Sequence, residues 1–579
     1  MSNEDDFRIR PGKIRSRPNM QAKPFIAQAL AAAERAGGHV TRSRRITAPR
    51  RSRFGRGRAA SVRANRLVTS RSRLATVKTR IVRNTRPRAT LRAHLNYLRR
   101  EGVTRDGERA RMFGAETDDA DMKAFSERCE EDRHHFRIIV SPEDAANMSD
   151  LKAFARDLMR QAEKDLGTKL DWVGVDHWNT DNPHVHIIIR GRASDGKDLV
   201  IAREYISEGM RARAQDLVTQ ELGPRSDLDI RRSLESQVES ERWTRLDRQL
   251  VRDANRHGII DVAPIAGKQP DEYLPQKVGR LCKLESLGLA NQIAPGQWMI
   301  ADEAESTLRE LAERGDIIKR MNRALTERGL ERGASSYVLA GESLADPIVG
   351  RLIDRGLDDE LKASAYAVVD GTDGRTHHIK LATLDATGDG PTGSIVELRR
   401  FEDSHGRERA ALAVRSDLDL DAQVKASGAT WIDRQLIARD ATPLGNGGFG
   451  AEVRAAMESR AEHLIEQGLA RRQGQQVIYS RNLINTLRQR ELDSMGEKLA
   501  TEMGMPFRKT ASGEYVAGLY RQRLMLASGR FAMIDDGLGF QLVPWSPSLE
   551  RNLGRHVSGI ARADGGIDWS FGRQRGLGL

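Results

Sequence analysis

Asp176-His177-Trp178-Asn179-Thr180-Asp181-Asn182-Pro183-His184-Val185-His186-Ile187-Ile188-Ile189-Arg190 decides how this chain is read. From His184 to Arg190 the residues are β-branched or carry imidazoles, with no formal charge until the last. A turn precedes them, so they predict a buried strand. Side chains on a strand alternate faces. His184 and His186 therefore share one face, and Val185, Ile187 and Ile189 the other. His177 precedes the Thr-Asp-Asn-Pro turn and can fold back to supply a third imidazole. Three neutral imidazoles on one divalent ion leave positions open for a substrate, unlike a closed structural site. Two histidines on a strand are more often packed core; the third histidine and the tight turn favour a metal.

The flanks predict an α+β domain. Phe136–Val140 reads as a strand ended by Ser141-Pro142, and His134 and His135 open it, through packing or substrate contact. Asp150–Leu166 reads as an amphipathic helix with Leu151, Phe154, Leu158 and Ala162 on one face. Asp171–Val175 is a second strand, and a helix over 203–222 closes the domain at Gly223-Pro224. Upstream, Leu91, Leu95 and Leu98 fall at helical spacing with Tyr97 off that stripe. No other tyrosine lies between Met1 and Val200, so Tyr97 is the candidate for tyrosine chemistry, with Tyr205 in reserve. Arg99 and Arg100 beside it suit a phosphate-facing surface.

A tyrosine followed by His-x-Asn-x-x-x-x-His-x-His resembles the conjugative relaxases and mobilisation nucleases of the HUH class. The similar branch is the one that includes the T-DNA border endonuclease. Rolling-circle initiators and single-strand transposases carry the paired histidines before the tyrosine; here the order is reversed. The segments 134–144 and 540–545 resemble a bacterial subgroup with a long uncharacterised C-terminal region. The resemblance implies a ferredoxin-like HUH nuclease antiparallel sheet, a divalent metal (Mg or Mn) on His177, His184 and His186, and Tyr97 as nucleophile. It also implies nicking of a single-stranded transfer origin through a covalent 5′-phosphotyrosine, starting conjugative transfer or plasmid mobilisation. The implied partners are origin DNA, a type IV coupling protein and accessory origin-binding proteins. In the family the position of Asn179 is often aspartate. Asparagine can hold a ligand by a hydrogen bond but cannot be a base. Asp176, Asp181, His94 or a hydroxide brought with the metal stay open as proton acceptor. The competing readings are a rolling-circle replication initiator and a DNA-binding scaffold with a decayed nuclease site.

Charge is unevenly spread. Residues 1–90 hold 24 Lys and Arg against 4 Asp and Glu, while the remainder holds 71 against 78. The basic excess is thus an N-terminal arm, poor in aromatics and expected to be disordered. Arg44, Arg45, Arg51 and Arg53 lie in its densest run and suit DNA-backbone contact. The two cysteines, Cys129 and Cys282, make neither a disulfide framework nor a metal motif. With no membrane-length apolar run and no apolar signal core, the expectation is a bacterial cytoplasmic protein without membrane insertion. By resemblance, it could travel to a recipient cell with its DNA.

Seven segments are expected. They are a basic arm (1–88), the nuclease domain (89–232), a helical linker (233–262) and a winged-helix-like module (263–345). A mixed α/β module (346–440), a second winged-helix-like module (441–500) and a small β-rich barrel or curled sheet (501–579) follow. The two winged-helix-like modules rest on an internal repeat, in which Leu287-Gly288-Leu289-Ala290 is echoed by Gln467-Gly468-Leu469-Ala470. No P-loop is found, so no motor is implied.

Overall fold

The alternation that marks the histidine strand organises a whole sheet. A computed structural model describes residues 55–84, 89–99, 104–105, 108–178, 182–263, 271–339, 348–403, 406–562 and 566–570. It divides into two units, Met1–Glu313 and Arg314–Leu579. The first unit opens with α1 (Arg58–Asn65), β1 (Ala75–Arg83), α2 (Ala89–Leu98), α3 (Met122–Arg128), β2 (His134–Pro142) and α4 (Leu151–Leu166). β3 (Trp172–His177), β4 (His184–Arg190) and α5 (Met210–Leu222) follow. The sheet order is β1-β2-β4-β3, with every neighbouring pair antiparallel. β2 and β3 lie on either side of β4 and are joined through α4, whose N-terminus is capped by the Asp150 side chain and which ends at Gly167 with φ 63°.

Each face of the sheet has its own core. Phe136, Ile138, Val140, Val185, Ile187 and Ile189 pack on one face against Leu151, Phe154 and Leu158 of α4 and Val218 of α5. On the other face Val173, Val175 and Ile188 meet Leu91, Leu95 and Leu98 of α2 and Phe125 of α3. Burial of a leucine such as Leu95 stabilises by roughly 2 kcal/mol, so the α2 stripe alone anchors that helix firmly.

One expectation changes ahead of α2. Residues 58–83 were expected in the disordered arm, yet they form α1 and the edge strand β1, and Ala75 and Val77 enter the main core. An edge strand tolerates charged side chains on its open side, so Lys78 and Arg80 give it the look of a tail. The predicted helix over 203–222 is present with those bounds and carries a π-helical turn, Tyr205–Gly209, just ahead of α5. A Cβ at Gly209 would meet Tyr205 and Ser61, because α1 crosses tightly there.

Beyond α5 come α6 (Asp227–Val238), α7 (Arg245–Asp253), β5 (Ile259–Asp261), α8 (Leu274–Ser286), β6 (Ala290–Ala294), β7 (Gln297–Ile300) and α9 (Ala304–Thr326). The segment 233–262, expected as a linker, belongs to this core: Leu246, Leu250 and Ile260 pack with Leu281 and Trp298. Its polarity concealed a lock. Arg280 is fully buried and bonds both oxygens of the equally buried Asp247, at 2.7 and 2.9 Å. It also donates to the carbonyls of Val238, Ser240 and Arg242. Thr244 and Asp247 cap α7 reciprocally.

The second unit holds a six-stranded sheet of β8 (Tyr337–Val338), β9 (Val349–Asp359), β10 (Ser364–Gly371), β11 (Thr376–Leu381), β12 (Ile395–Glu402) and β13 (Glu408–Ser416). Its order is β13-β12-β9-β10-β11-β8. α10 (Leu420–Lys425), α11 (Trp431–Ile437), α12 (Gly448–Glu466), β14 (Ala470–Gln473), β15 (Gln476–Tyr479) and α13 (Leu483–Met503) follow. The same lock recurs here. Arg460 and Asp433 are both fully buried and bonded at 2.8 and 2.9 Å, and Arg460 also holds the carbonyls of Val424, Ala426 and Gly428. In both copies the three carbonyls stand nine, seven and five residues before the aspartate. The repeat is therefore longer than its sequence echo. It takes in α10 and α11, expected in the mixed module, while β8, expected in the first winged-helix-like module, joins the sheet. The C-terminal strands β16 (Tyr515–Leu526), β17 (Gly529–Asp535), β18 (Phe540–Pro544), β19 (His556–Ala561) and β20 (Ile567–Ser570) form an open antiparallel sheet ordered β18-β17-β16-β19-β20.

Candidate active site

The register brings the three histidines together. His177 pairs with His184 across β3 and β4, and His186 stands two residues further along β4 on the same face. All three side chains are buried, and their ring nitrogens lie within 4.8 Å of one another. His184 Nδ1 donates to the carbonyl of Asn182 at 2.9 Å, so its Nε2 carries the lone pair, 3.1 Å from His186 Nε2. A backbone carbonyl that fixes one ring nitrogen turns the other toward an ion, the usual arrangement around a metal-binding imidazole. His177 Nε2 donates to the carbonyl of Leu98 at 2.9 Å. The donor set and its orientation fit a divalent ion.

That last bond joins the cluster to α2. Leu98 is the neighbour of Tyr97, and Tyr97 is half-buried beside the inward stripe. His94 is buried one helical turn before Leu98, on the sheet-facing side with Leu91 and Leu95. Asp176 lies on the opposite face of β3, paired with Val185; it accepts from the Trp178 indole at 2.8 Å and has Lys152 at 4.0 Å. Tyr205 is fully buried in the main core, with its hydroxyl donating to Asp165 at 3.0 Å. Burial, then the Asp165 charge, push its phenol far above the usual range. Arg99 is half-buried, bonded to the carbonyl of Ala110. Asn179, Asp181, Arg100, Arg44, Arg45, Arg51 and Arg53 lie outside the described residues.

One residue of this face was not singled out from sequence. Arg137 pairs with Ile188, while its strand neighbour Ile139 pairs with His186, so Arg137 is the diagonal neighbour of a cluster histidine. It is 4% exposed, and among the described residues no carboxylate lies within 4.0 Å. Its Nε donates to His135 Nε2 at 3.1 Å, and His135 Nδ1 donates to Asn84. Burial, with neighbouring Arg80 adding to it, lowers the guanidinium to about 10. Lys78 and Arg80 stand exposed on the same face of β1. The signal in the sequence was a lone arginine inside the apolar run Phe136–Val140. His134 and His135 are packing residues: His134 holds the carbonyl of Leu199, and burial followed by the Arg137 charge lowers His135 to about 3.

Residues 105–218 match the model of a MobA/VirD2-like relaxase nuclease domain, which supports relaxase-type DNA endonuclease activity. The three histidines fall inside this match and Tyr97 just ahead of it. Residues 277–408 and 399–578, together more than half of the chain, match a model described as a protein of unknown function (DUF3363). No curated protein and no solved structure matches. Among the described residues no helix is long and apolar enough to cross a membrane.

Proposed function

From a chain that belongs to the DUF3363 family and carries a MobA/VirD2-like nuclease segment ahead of that region, we propose a metal-dependent single-strand DNA endonuclease and strand transferase. It nicks a transfer origin through a covalent 5′-phosphotyrosine and starts conjugative transfer or plasmid mobilisation. The observation that carries this reading is the bond from His177 to the Leu98 carbonyl, which ties the imidazole cluster to the helix turn bearing Tyr97.

The Tyr97 oxygen attacks the scissile phosphorus while the bond to the 3′ oxygen breaks. The phosphate stays on the tyrosine as a diester, and the 3′ oxygen leaves with the bonding pair and takes a proton from solvent to become a hydroxyl, balancing the proton the phenol gives up. The bond energy is kept, so the reverse reaction rejoins the strand. A phenol of ordinary pKa, about 10, must first lose its proton. Of the described candidates His94, three residues before Tyr97 on α2, is the acceptor we favour, since Asp176 faces the other core. A divalent ion, Mg or Mn, on His177, His184 and His186 would supply Lewis-acid stabilisation of the phosphate oxygens. Arg137 holds the substrate phosphate, and Arg80 and Lys78 carry the backbone toward the sheet edge. Arg99 and the arginines of the arm add further backbone contacts. A type IV coupling protein and accessory origin-binding proteins are the partners this reading calls for.

The test is a denaturing gel of the purified chain mixed with single-stranded origin DNA and Mn or Mg. A DNA-linked protein band is expected that disappears in Tyr97→Phe and with chelator. An adduct that survives Tyr97→Phe, or no adduct where DNA binding is intact, overturns the reading.

A further inference from the structure

The two copies of the locked module share a backbone but not a surface. From the arginine of the lock onward they run in step. Leu284 and Leu464 stand four residues later, and Gly288 and Gly468, with φ 71° and 72°, stand eight later. Each is followed by a hairpin and a long helix. In the first copy, residues 287–310 carry Asp302, Glu303, Glu305 and Glu310 against Arg309 alone. In the second, residues 467–490 carry five arginines (Arg471, Arg472, Arg481, Arg488 and Arg490) and no acid. The fold therefore does not demand this charge, since the same fold stands with the opposite sign. An ordinary solvated surface intersperses both signs.

The arginines are also uncompensated. Arg471, Arg481 and Arg490 are exposed and Arg488 half-buried. Among the described residues none of these four has a carboxylate within 4.0 Å, and only Arg472 is paired, with Glu462. They lie on the β14–β15 hairpin, which turns at Gly474, and on the segment leading into and through the first turns of α13. Gln473, Gln475, Gln476, Asn482 and Asn485 are interleaved with them and exposed. Unpaired guanidinium groups with neutral hydrogen-bonding side chains between them suit phosphate oxygens. Single-stranded nucleic acid is held largely by bases stacking on aromatic rings. The one aromatic residue here, Tyr479, is half-buried and packs into the core of its module. We propose that the β14–β15 hairpin and the start of α13 form a second nucleic-acid site, which grips the phosphate backbone of duplex DNA.

This site does not rest on the nuclease reading, and the experiment separates the two. Binding of the full-length protein to a short labelled duplex is followed by fluorescence anisotropy over a range of KCl. Arg471→Ser/Arg481→Ser/Arg488→Ser is compared with Arg399→Ser/Arg407→Ser/Arg439→Ser, which removes the same charge elsewhere on the unit. The hairpin variant is expected to lower the salt slope by roughly 2 to 3 and to weaken duplex binding at least tenfold more than the control variant does. Nicking of a single-stranded oligonucleotide stays unchanged. Equal losses in both variants, no loss in either, or a loss confined to single strands overturns the proposal. Gln475→Glu/Gln476→Glu tests the same surface without touching an arginine, should the triple variant misfold; unchanged duplex binding there overturns it as well.

Discussion

Arg137→Met should stabilise the nuclease domain while impairing it. The charged guanidinium sits at 4% exposure with no carboxylate partner among the described residues, and its fall from the ordinary guanidinium range to about 10 corresponds to roughly 3 kcal/mol against the charged form. Methionine of similar reach removes that penalty and forfeits the hydrogen bond to His135, worth about 1 kcal/mol. A net gain of about 1–2 kcal/mol follows, in line with apolar replacements of buried charges elsewhere. Hydrogen exchange in the full chain reads it locally, as slower opening of the β2 and β4 amides. Over the same substitution a charge-assisted contact to the substrate phosphate is lost, at about 1.5–3 kcal/mol, so single-turnover nicking should fall roughly 10- to 150-fold. A variant that loses more than about 1 kcal/mol of stability, yet binds and nicks single-stranded DNA as before, would make Arg137 a packing residue and refute the argument.

Four further outcomes are expected. His177→Ala and His184→Ala should each abolish Mn binding by calorimetry while leaving the chain folded; retained stoichiometric binding in either would remove that residue from the site. Asp247→Ala and Asp433→Ala each strand a fully buried arginine. Each should lower the opening free energy of its own module by about 3–5 kcal/mol, seen as faster exchange in that module alone, and losses under about 1 kcal/mol would disprove the lock. His135 takes a proton near 6.5 when unfolded but only near 3 when folded. Its contribution is therefore complete above about pH 6.5 and declines as pH falls toward 3, by up to about 4–5 kcal/mol. His135→Gln should flatten that part of the stability–pH curve, and an unchanged slope would argue against it. His94→Gln should slow adduct formation most at low pH and be partly rescued by raising it; a uniform loss across pH would mean that His94 only packs.

Much of the site was legible because strand periodicity is short and strict. Val185, Ile187 and Ile189 against His184 and His186 fix the two faces of β4, and the Asn-Pro turn fixes its return to His177. What escaped was carried by charged residues. Lys78 and Arg80 made an edge strand look like tail, since an edge strand needs apolar residues on one side only. Arg280 and Asp247 made a buried module look like linker, because ion pairing across 33 residues leaves no local pattern. Arg137 reads in the sequence as one charge in an apolar run, and that no carboxylate among the described residues pairs with it appears only when the neighbouring strands are in place.

The sequence alone thus determined the chemistry on offer: three imidazoles on one face, one tyrosine ahead of them, a basic arm and a repeated Gly-Leu hairpin. Tertiary structure decided which of these groups act on one another. The bond from His177 to the Leu98 carbonyl, the separation of Asp176 from the histidines and the burial of Tyr205 all depend on which helix covers which face of the sheet. That choice is made by packing between segments distant in the chain, where burial and charge compensation are properties of the assembled neighbourhood rather than of any residue in it.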